Sequence, residues 1–240
     1  MKAAHLLLLL SIFSSMSHAG TPAAPTILTN GGLSNFTGNV GQDWFVFEVF
    51  KQGNVLFFGE GQSRPWLDRV TLYDTEYDGV ASLGELSNRS LLMNPGVYYL
   101  SVTHREAGVI SVYSPSLLNA PDIDAPLGSF GNPFVMLNGT TTATSRYLRV
   151  GYFETTSAGS VLIQPANPNG GTEYSFNVYN SDSLAREATS NPASVATIGF
   201  PKGGFYFVMR GASGASGTLA SSVMANAPSL PQISRDFMAG

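Results

Sequence analysis

Short runs rich in β-branched and aromatic residues recur along this chain, and Gly, Pro, Asn or Ser separates each run from the next. In the first half they are Trp44 to Phe50, Val55 to Phe58, Arg69 to Tyr73, Val97 to Val102 and Val109 to Tyr113. In the second they are Tyr147 to Phe153, Ser160 to Gln164, Tyr174 to Tyr179, Val195 to Phe200 and Phe205 to Arg210. Such runs suit a pleated surface, and the residues between them are those that turns require. No stretch beyond the N-terminal segment sustains apolar residues at i, i+3, i+4 and i+7, so long amphipathic helices are excluded. The expectation is an all-β chain built as sandwiches or barrels.

The two halves repeat each other. Gly53 precedes Asn54-Val55-Leu56, and Tyr73 follows Gly53 by 20 residues inside Thr71-Leu72-Tyr73-Asp74. Gly159 precedes Ser160-Val161-Leu162, and Tyr179 follows Gly159 by 20 residues inside Asn177-Val178-Tyr179-Asn180. Each half then closes on glycine and an aromatic strand, Pro95-Gly96-Val97-Tyr98-Tyr99 and Gly203-Gly204-Phe205-Tyr206-Phe207. Three landmarks in one order imply two copies of a unit of about 90–100 residues, a common domain size. The boundaries expected are domain 1 at 27–115, a Pro-rich linker at 116–133, domain 2 at 134–225 and a loosely ordered tail at 226–240. Pro115, Pro121, Pro126 and Pro133 crowd the join, which reads as a stiff spacer.

The first residues read as an export leader. Lys2 opens it, Leu6 to Phe13 is a short apolar run, and Ser17-His18-Ala19 is a small-x-small ending. Residues 1–19 are expected to be a signal peptide cleaved after Ala19. The run is well short of the ~20 apolar residues a membrane span needs, and no later segment qualifies, so no membrane insertion is expected after cleavage. The chain has no cysteine, hence no disulfide and no thiol nucleophile. That favours a bacterial protein, secreted or periplasmic. Sequons at Asn35, Asn88 and Asn138 matter only in a glycosylating pathway. Charged residues make up 12% of the chain and the net charge is −4. No Lys/Arg cluster exists to neutralise phosphates, which excludes nucleic acid and disfavours an anionic membrane surface.

The ordered landmarks of the first half resemble the bacterial pre-peptidase C-terminal domain. They are Asp43-Trp44-Phe45-Val46-Phe47, then Leu72-Tyr73-Asp74, then Pro95-Gly96-Val97-Tyr98-Tyr99-Leu100-Ser101-Val102. The second copy, about 128 to 225, keeps Val178-Tyr179-Asn180 and Gly204-Phe205-Tyr206-Phe207 but has Arg146-Tyr147 where the Asp-Trp pair is expected. The resemblance implies two tandem jelly-roll-like antiparallel β-sandwich domains, the second degenerate. It also implies an accessory or binding role beside a catalytic domain, with calcium held by acidic loops in some relatives. Asp43, Asp68, Asp74 and Asp78 are the acidic residues to consider. They lack the alternating ligands of a calcium loop, and Asp74 and Asp78 read equally as turn formers.

Catalytic chemistry has little to work with. Beyond the leader, His104 is the only histidine, so any Ser-His-Asp triad must use it. It follows an aromatic strand in Thr103-His104-Arg105-Glu106 and reads as an exposed turn residue. There is no Gly-x-Ser-x-Gly elbow. A zinc site needs three or four ligands, which one histidine and no cysteine do not favour. Gly211 to Gly217 is glycine-rich but opens no helix, so it reads as a hairpin loop. No cofactor, metal or catalytic residue is assigned. A glycosidase needs only two carboxylates, and Glu48, Glu60, Asp68, Glu76 and Glu85 are available, though no spacing selects a pair. Aromatic rings are the better lead, since Trp and Tyr offer an apolar face and a polar edge. Trp66 lies in a Pro-containing loop, Tyr77 in a polar turn, and Tyr73 beside it with neighbours expected on adjacent strands. These three are the candidate ligand-binding residues. Trp44, Phe45, Phe47 and Tyr98 are assigned to the core. The function expected is a secreted, non-catalytic recognition or accessory protein that binds a glycan or a protein surface. The alternatives are a structural envelope or matrix spacer, and a polysaccharide hydrolase using one of those carboxylate pairs.

Overall fold

A computed structural model of the chain describes residues 21–36, 40–61, 67–86, 88–119, 121–143, 149–166, 175–190, 193–210 and 216–230. Within the strands, the side chains of 67, 85, 86, 88, 142, 143 and 210 fall outside the description. Residues 1–20, Trp66, Tyr147 and residues 211–215 of the glycine-rich run fall outside it too.

The described residues form 18 strands and no helix. The first half holds β1 (Thr26–Ile27), β2 (Ser34–Phe36), β3 (Gly41–Val49), β4 (Gly53–Gly61), β5 (Leu67–Tyr73), β6 (Gly79–Leu86), β7 (Asn88–Met93), β8 (Gly96–His104) and β9 (Gly108–Tyr113). The second holds β10 (Phe134–Val135), β11 (Thr141–Ala143), β12 (Arg149–Thr155), β13 (Gly159–Ala166), β14 (Ser175–Asn180), β15 (Arg186–Ser190), β16 (Ala196–Phe200), β17 (Gly203–Arg210) and β18 (Ser216–Ala220). Each half makes a front sheet, β1-β3-β8-β5-β6 or β10-β12-β17-β14-β15. Each also makes a back sheet, β2-β9-β4-β7 or β11-β18-β13-β16. The second topology is the first with each strand moved on by nine places. Pairing is antiparallel except for one parallel edge strand per half, β1 on β3 and β10 on β12.

The register confirms the repeat residue by residue. Val49 pairs with Gly96 and Thr155 with Gly203, while Tyr73 pairs with Tyr99 and Tyr179 with Tyr206. The same register places Arg149-Val150 at the position of Asp43-Trp44, because Asp43 faces Val102 and Arg149 faces Met209. The expected counterpart, Arg146-Tyr147, therefore precedes the matching strand and lies outside the described residues.

Alternation along each strand builds the cores. In the first half Phe45, Phe47, Val55, Phe57, Val70 and Leu100 point between the sheets and are buried. In the second, Phe153, Val161, Ile163, Phe176, Phe205 and Phe207 do the same. A third apolar cluster joins the halves. Leu56, Phe58, Val109 and Tyr113 on the outer face of the first back sheet meet Val150, Tyr152, Tyr179, Tyr206 and Val208 on the outer face of the second front sheet. Such strands are apolar on both faces, which is why Val55-Leu56-Phe57-Phe58 and Phe205-Tyr206-Phe207-Val208 read as unbroken apolar runs.

The segment 116–133 is not the spacer expected from its prolines. It lies along the first half, with the amide of Asp122 donating to the Asn30 carbonyl (2.8 Å) and that of Gly131 to the Gly31 carbonyl (3.0 Å). Buried Asn30 clamps its start, donating to the carbonyls of Ser114 (2.9 Å) and Asn119 (2.8 Å). Phe130 then enters the third cluster and stacks on Tyr113 at 5.3 Å between centroids. Proline removes donors, but side-chain and turn contacts hold this backbone instead.

Candidate functional site

The outer face of the first front sheet carries a cluster of rings. On β3, Phe45, Phe47 and Val49 point inward, so Trp44 points outward. On β8 and β5 the same alternation turns out Tyr99 and Tyr73, which pair across the two strands. Trp44 packs on Tyr73 at 5.2 Å between centroids.

Tyr77 comes from the five-residue turn between β5 and β6 and folds back over this face. Asp74 shapes the turn. Its Oδ1 accepts the amides of Glu76 (2.9 Å) and Asp78 (3.0 Å). Its own amide donates to the Asp78 carbonyl (3.1 Å). Tyr77 thereby takes a left-handed backbone, φ 62°, a conformation that costs a non-glycine residue about 1 kcal/mol or more. The ring offsets that cost by stacking on Tyr99 (4.9 Å, 29° between planes) and meeting Trp44 edge-on (5.9 Å). Its hydroxyl donates to the Pro22 carbonyl at 2.7 Å, so the segment leading into β1 borders the face. Burial, and then the adjacent Tyr77 hydroxyl, push the Tyr99 hydroxyl above its ordinary pKa. Tyr77 stays 43% exposed, an uncommon position for a ring this well packed.

Of the three candidate ring residues, the structure brings Tyr73 and Tyr77 together; Trp66 lies outside the described residues. It adds Trp44 and Tyr99. Trp44 is therefore not the core residue its sequence context suggests, and strand parity is the signal that separates it from Phe45 and Phe47. That signal is masked because both parities of Trp44-Phe45-Val46-Phe47 are apolar.

His104 is not an exposed turn residue. It ends β8 on the inward face, 3% exposed. Its Nε2 lies 3.0 Å from Oδ2 of Asp43, itself 1% exposed, and the Phe36 ring lies over the imidazole at 4.6 Å. Burial holds the Asp43 carboxyl above the usual carboxylate range, with His104 opposing that shift. His104 and Asp43 form a buried pair at the edge of the first core. Asp43 is thus committed to His104, Asp74 to its turn, and Asp68 lies 3.6 Å from Arg105. Among the described residues no three His, Cys, Asp or Glu side chains gather as a metal site would require. The carboxylates proposed for glycoside cleavage are dispersed. Glu48 is on β3, Glu60 on β4 in the opposite sheet, Asp68 on β5 and Glu76 in the exposed turn, while the Glu85 side chain is outside the description.

Chemically, the face offers apolar ring surface edged by hydroxyls beside an acidic turn. Such a surface can desolvate and hold a ligand. The sequence matches no protein-family model and no curated protein. Among the solved structures that match is the CUB1-EGF-CUB2 region of human MASP-1/3, at 8% identity and a TM-score of 0.24, covering 80% of this chain and 99% of that one. At that TM-score the likeness carries no argument. The fold and face define a tandem β-sandwich protein with one aromatic sheet face left open.

Proposed function

We propose that this chain is an exported, non-catalytic recognition protein that binds a glycan or a protein surface through the outer face of its first front sheet. The observation that supports this is the ring cluster of Trp44, Tyr73, Tyr77 and Tyr99, held by a left-handed turn yet left partly open to solvent. Rings of this type supply much of the energy in recognition surfaces while losing little side-chain entropy. The test compares the intact chain with Tyr77→Ser/Tyr99→Ser on a glycan array and in solution binding to any hit. Binding lost in the variant, with the melting temperature shifted by only a few degrees, supports the reading. Binding that survives the variant places the site elsewhere, and Trp66→Ala is then the next variant.

A second reading, a rigid structural spacer of the envelope or matrix, has one observation in its favour. The third apolar cluster fixes one half on the other, so the pair acts as a single stiff body.

A further inference from the structure

The repeat says what kind of surface the ring face meets. In the second half the corresponding face is already covered. Tyr206 occupies the position of Tyr99, Tyr179 that of Tyr73, Tyr152 that of Val46 and Val150 that of Trp44, by the registers already given. The turns correspond as well. Asn180 Oδ1 accepts the amides of Asp182 (3.0 Å) and Ser183 (2.9 Å), as Asp74 does in its turn. Two residues before the return strand, Leu184 takes φ 53°, as Tyr77 takes 62°. These are the only non-glycine residues with positive φ among the described residues. Both turns accept backbone strain to place one large apolar side chain on the outer face of a front sheet. Phe130, four residues before β10, borders the second face, and Pro22, four residues before β1, borders the first.

In the second half this composite face is closed. Tyr179, Tyr206 and Leu184 are at most 1% exposed, and what covers them is a β-sheet face carrying Leu56, Phe58, Val109 and Tyr113. We infer that the Trp44–Tyr73–Tyr77–Tyr99 face is a docking surface for a protein: the apolar sheet face of another β-sandwich, built like the first back sheet and carried by another molecule. This inference rests on the proposed function and narrows its ligand to one class. The packing of the rings favours a sheet over a sugar. Tyr77 and Tyr99 stack on each other and Trp44 meets Tyr77 edge-on, so the rings do not form a row of flat faces.

The partner surface exists within the chain and can be released as a probe. Leu184→Asp/Tyr206→Asp charges the docking face of the second half. Neither residue belongs to the core of either sandwich, so both sandwiches keep their interiors. The released chain exposes Leu56, Phe58, Val109 and Tyr113 beside an intact ring face. Sedimentation velocity should then show reversible head-to-tail association at micromolar chain concentrations, the weak end of the affinities protein interfaces show. Adding Tyr77→Ser/Tyr99→Ser to the released chain should weaken that association by about tenfold or more, as loss of central aromatic anchors does. A folded released chain that stays monomeric overturns the inference, and so does association that the added serines leave unchanged. If the double aspartate variant does not fold, Leu184→Ser/Tyr206→Ser is read in the same way. Oligosaccharide binding by the intact chain that is sensitive to Tyr77→Ser/Tyr99→Ser, with no such association, defeats the sandwich partner and leaves the recognition reading standing. Absence of both defeats both.

Discussion

The hydroxyls of Tyr113 and Tyr206 bridge the two halves, and deleting them one at a time measures what that bridge contributes. They lie 2.5 Å apart, with the residues 2% and 1% exposed. Among the described residues each is the other's hydrogen-bond partner. Tyr206→Phe leaves the Tyr113 hydroxyl buried without its hydrogen-bond partner, which should cost about 1–3 kcal/mol, whereas removing both hydroxyls should cost under about 1 kcal/mol. The double-mutant cycle with Tyr113→Phe should therefore show a favourable coupling of about 1 kcal/mol or more. The same pair sets an alkaline limit. Burial pushes the Tyr113 hydroxyl from 10.0 up to about 12, and burial with the Tyr113 neighbour pushes Tyr206 further in the same direction. Between pH 10 and 12 the folded chain thus holds protons the unfolded chain has released. The stabilisation is complete below pH 10 and is lost as pH rises through 12. For Tyr113 a displacement of that size corresponds to about 3 kcal/mol. Tyr152 is also raised, chiefly by burial, so the double phenylalanine chain should lose part of the alkaline slope and keep the rest. Urea unfolding of the four chains at neutral pH and through the alkaline range reads both effects. A coupling of zero, or an alkaline slope unchanged in the double variant, would refute the bridge as the origin of the effect.

Other perturbations address separate parts of the molecule. His104→Ala leaves Asp43 buried without its partner and should cost about 3–5 kcal/mol in chemical unfolding. Asp43→Asn should instead flatten the acid side of the stability curve. The raised Asp43 carboxyl contributes stability that is fully present below 3.8 and is lost as pH rises through its folded value; an acid slope unchanged by the substitution counts against that assignment. Gly31→Ala should destabilise by more than about 1 kcal/mol in thermal unfolding. Its φ is +78° and an added Cβ would stand 2.5 Å from the Gly131 nitrogen, where the 116–133 segment crosses.

Much of the fold was legible because two-sided burial leaves a plain trace in sequence. Strands such as β4 and β17 are apolar at successive positions and could be read directly. The strands missed were β1, β2, β6, β7, β10, β11, β15 and β18, and each is only two or three residues long or carries Ser, Gly, Asn or charged residues. Gly79 to Leu86 and Arg186 to Ser190 pair through backbone bonds that composition does not advertise. The third cluster was hidden for a related reason. Leu56 and Phe58 alternate with Val55 and Phe57, and nothing local says that one parity faces a second sandwich. The site was half legible. Tyr77 stood out in a polar turn, but its left-handed backbone and its stack on Tyr99 depend on Asp74 and on strand pairing. His104 was misplaced because its sequence context is a hairpin end, while its partner Asp43 lies 61 residues away.

The way the two copies have diverged indicates where an assembly through this interface must stop. At the positions of Phe58, Tyr113 and Val109 on the first back sheet, the second back sheet has Gln164, Ala220 and Ser216, by the registers of β4 with β9 and β13 with β18. Gln164 is exposed and the other two half-buried, and of the four positions only that of Leu56 keeps a large apolar side chain, Leu162, so this outer face is mostly polar or shallow where its counterpart is apolar. A face of that kind gains little from dehydration and cannot anchor a tyrosine cluster. In stacked repeats, a terminal unit with a polar outer face is what ends the stack. In the proposed docking mode the second half is a closed end and the first an open one. The intact chain has a ring face ready for a sandwich but no second copy of the surface that would fill it. It should remain free of open-ended head-to-tail polymers at concentrations where the released variant associates. Gln164→Phe/Ser216→Val/Ala220→Tyr would restore the missing surface and should make the otherwise unaltered chain polymerise through Tyr77 and Tyr99. Polymers formed by the unaltered chain, or a restored chain that remains monomeric while folded, would show that the polarity of this face does not set the end of the stack.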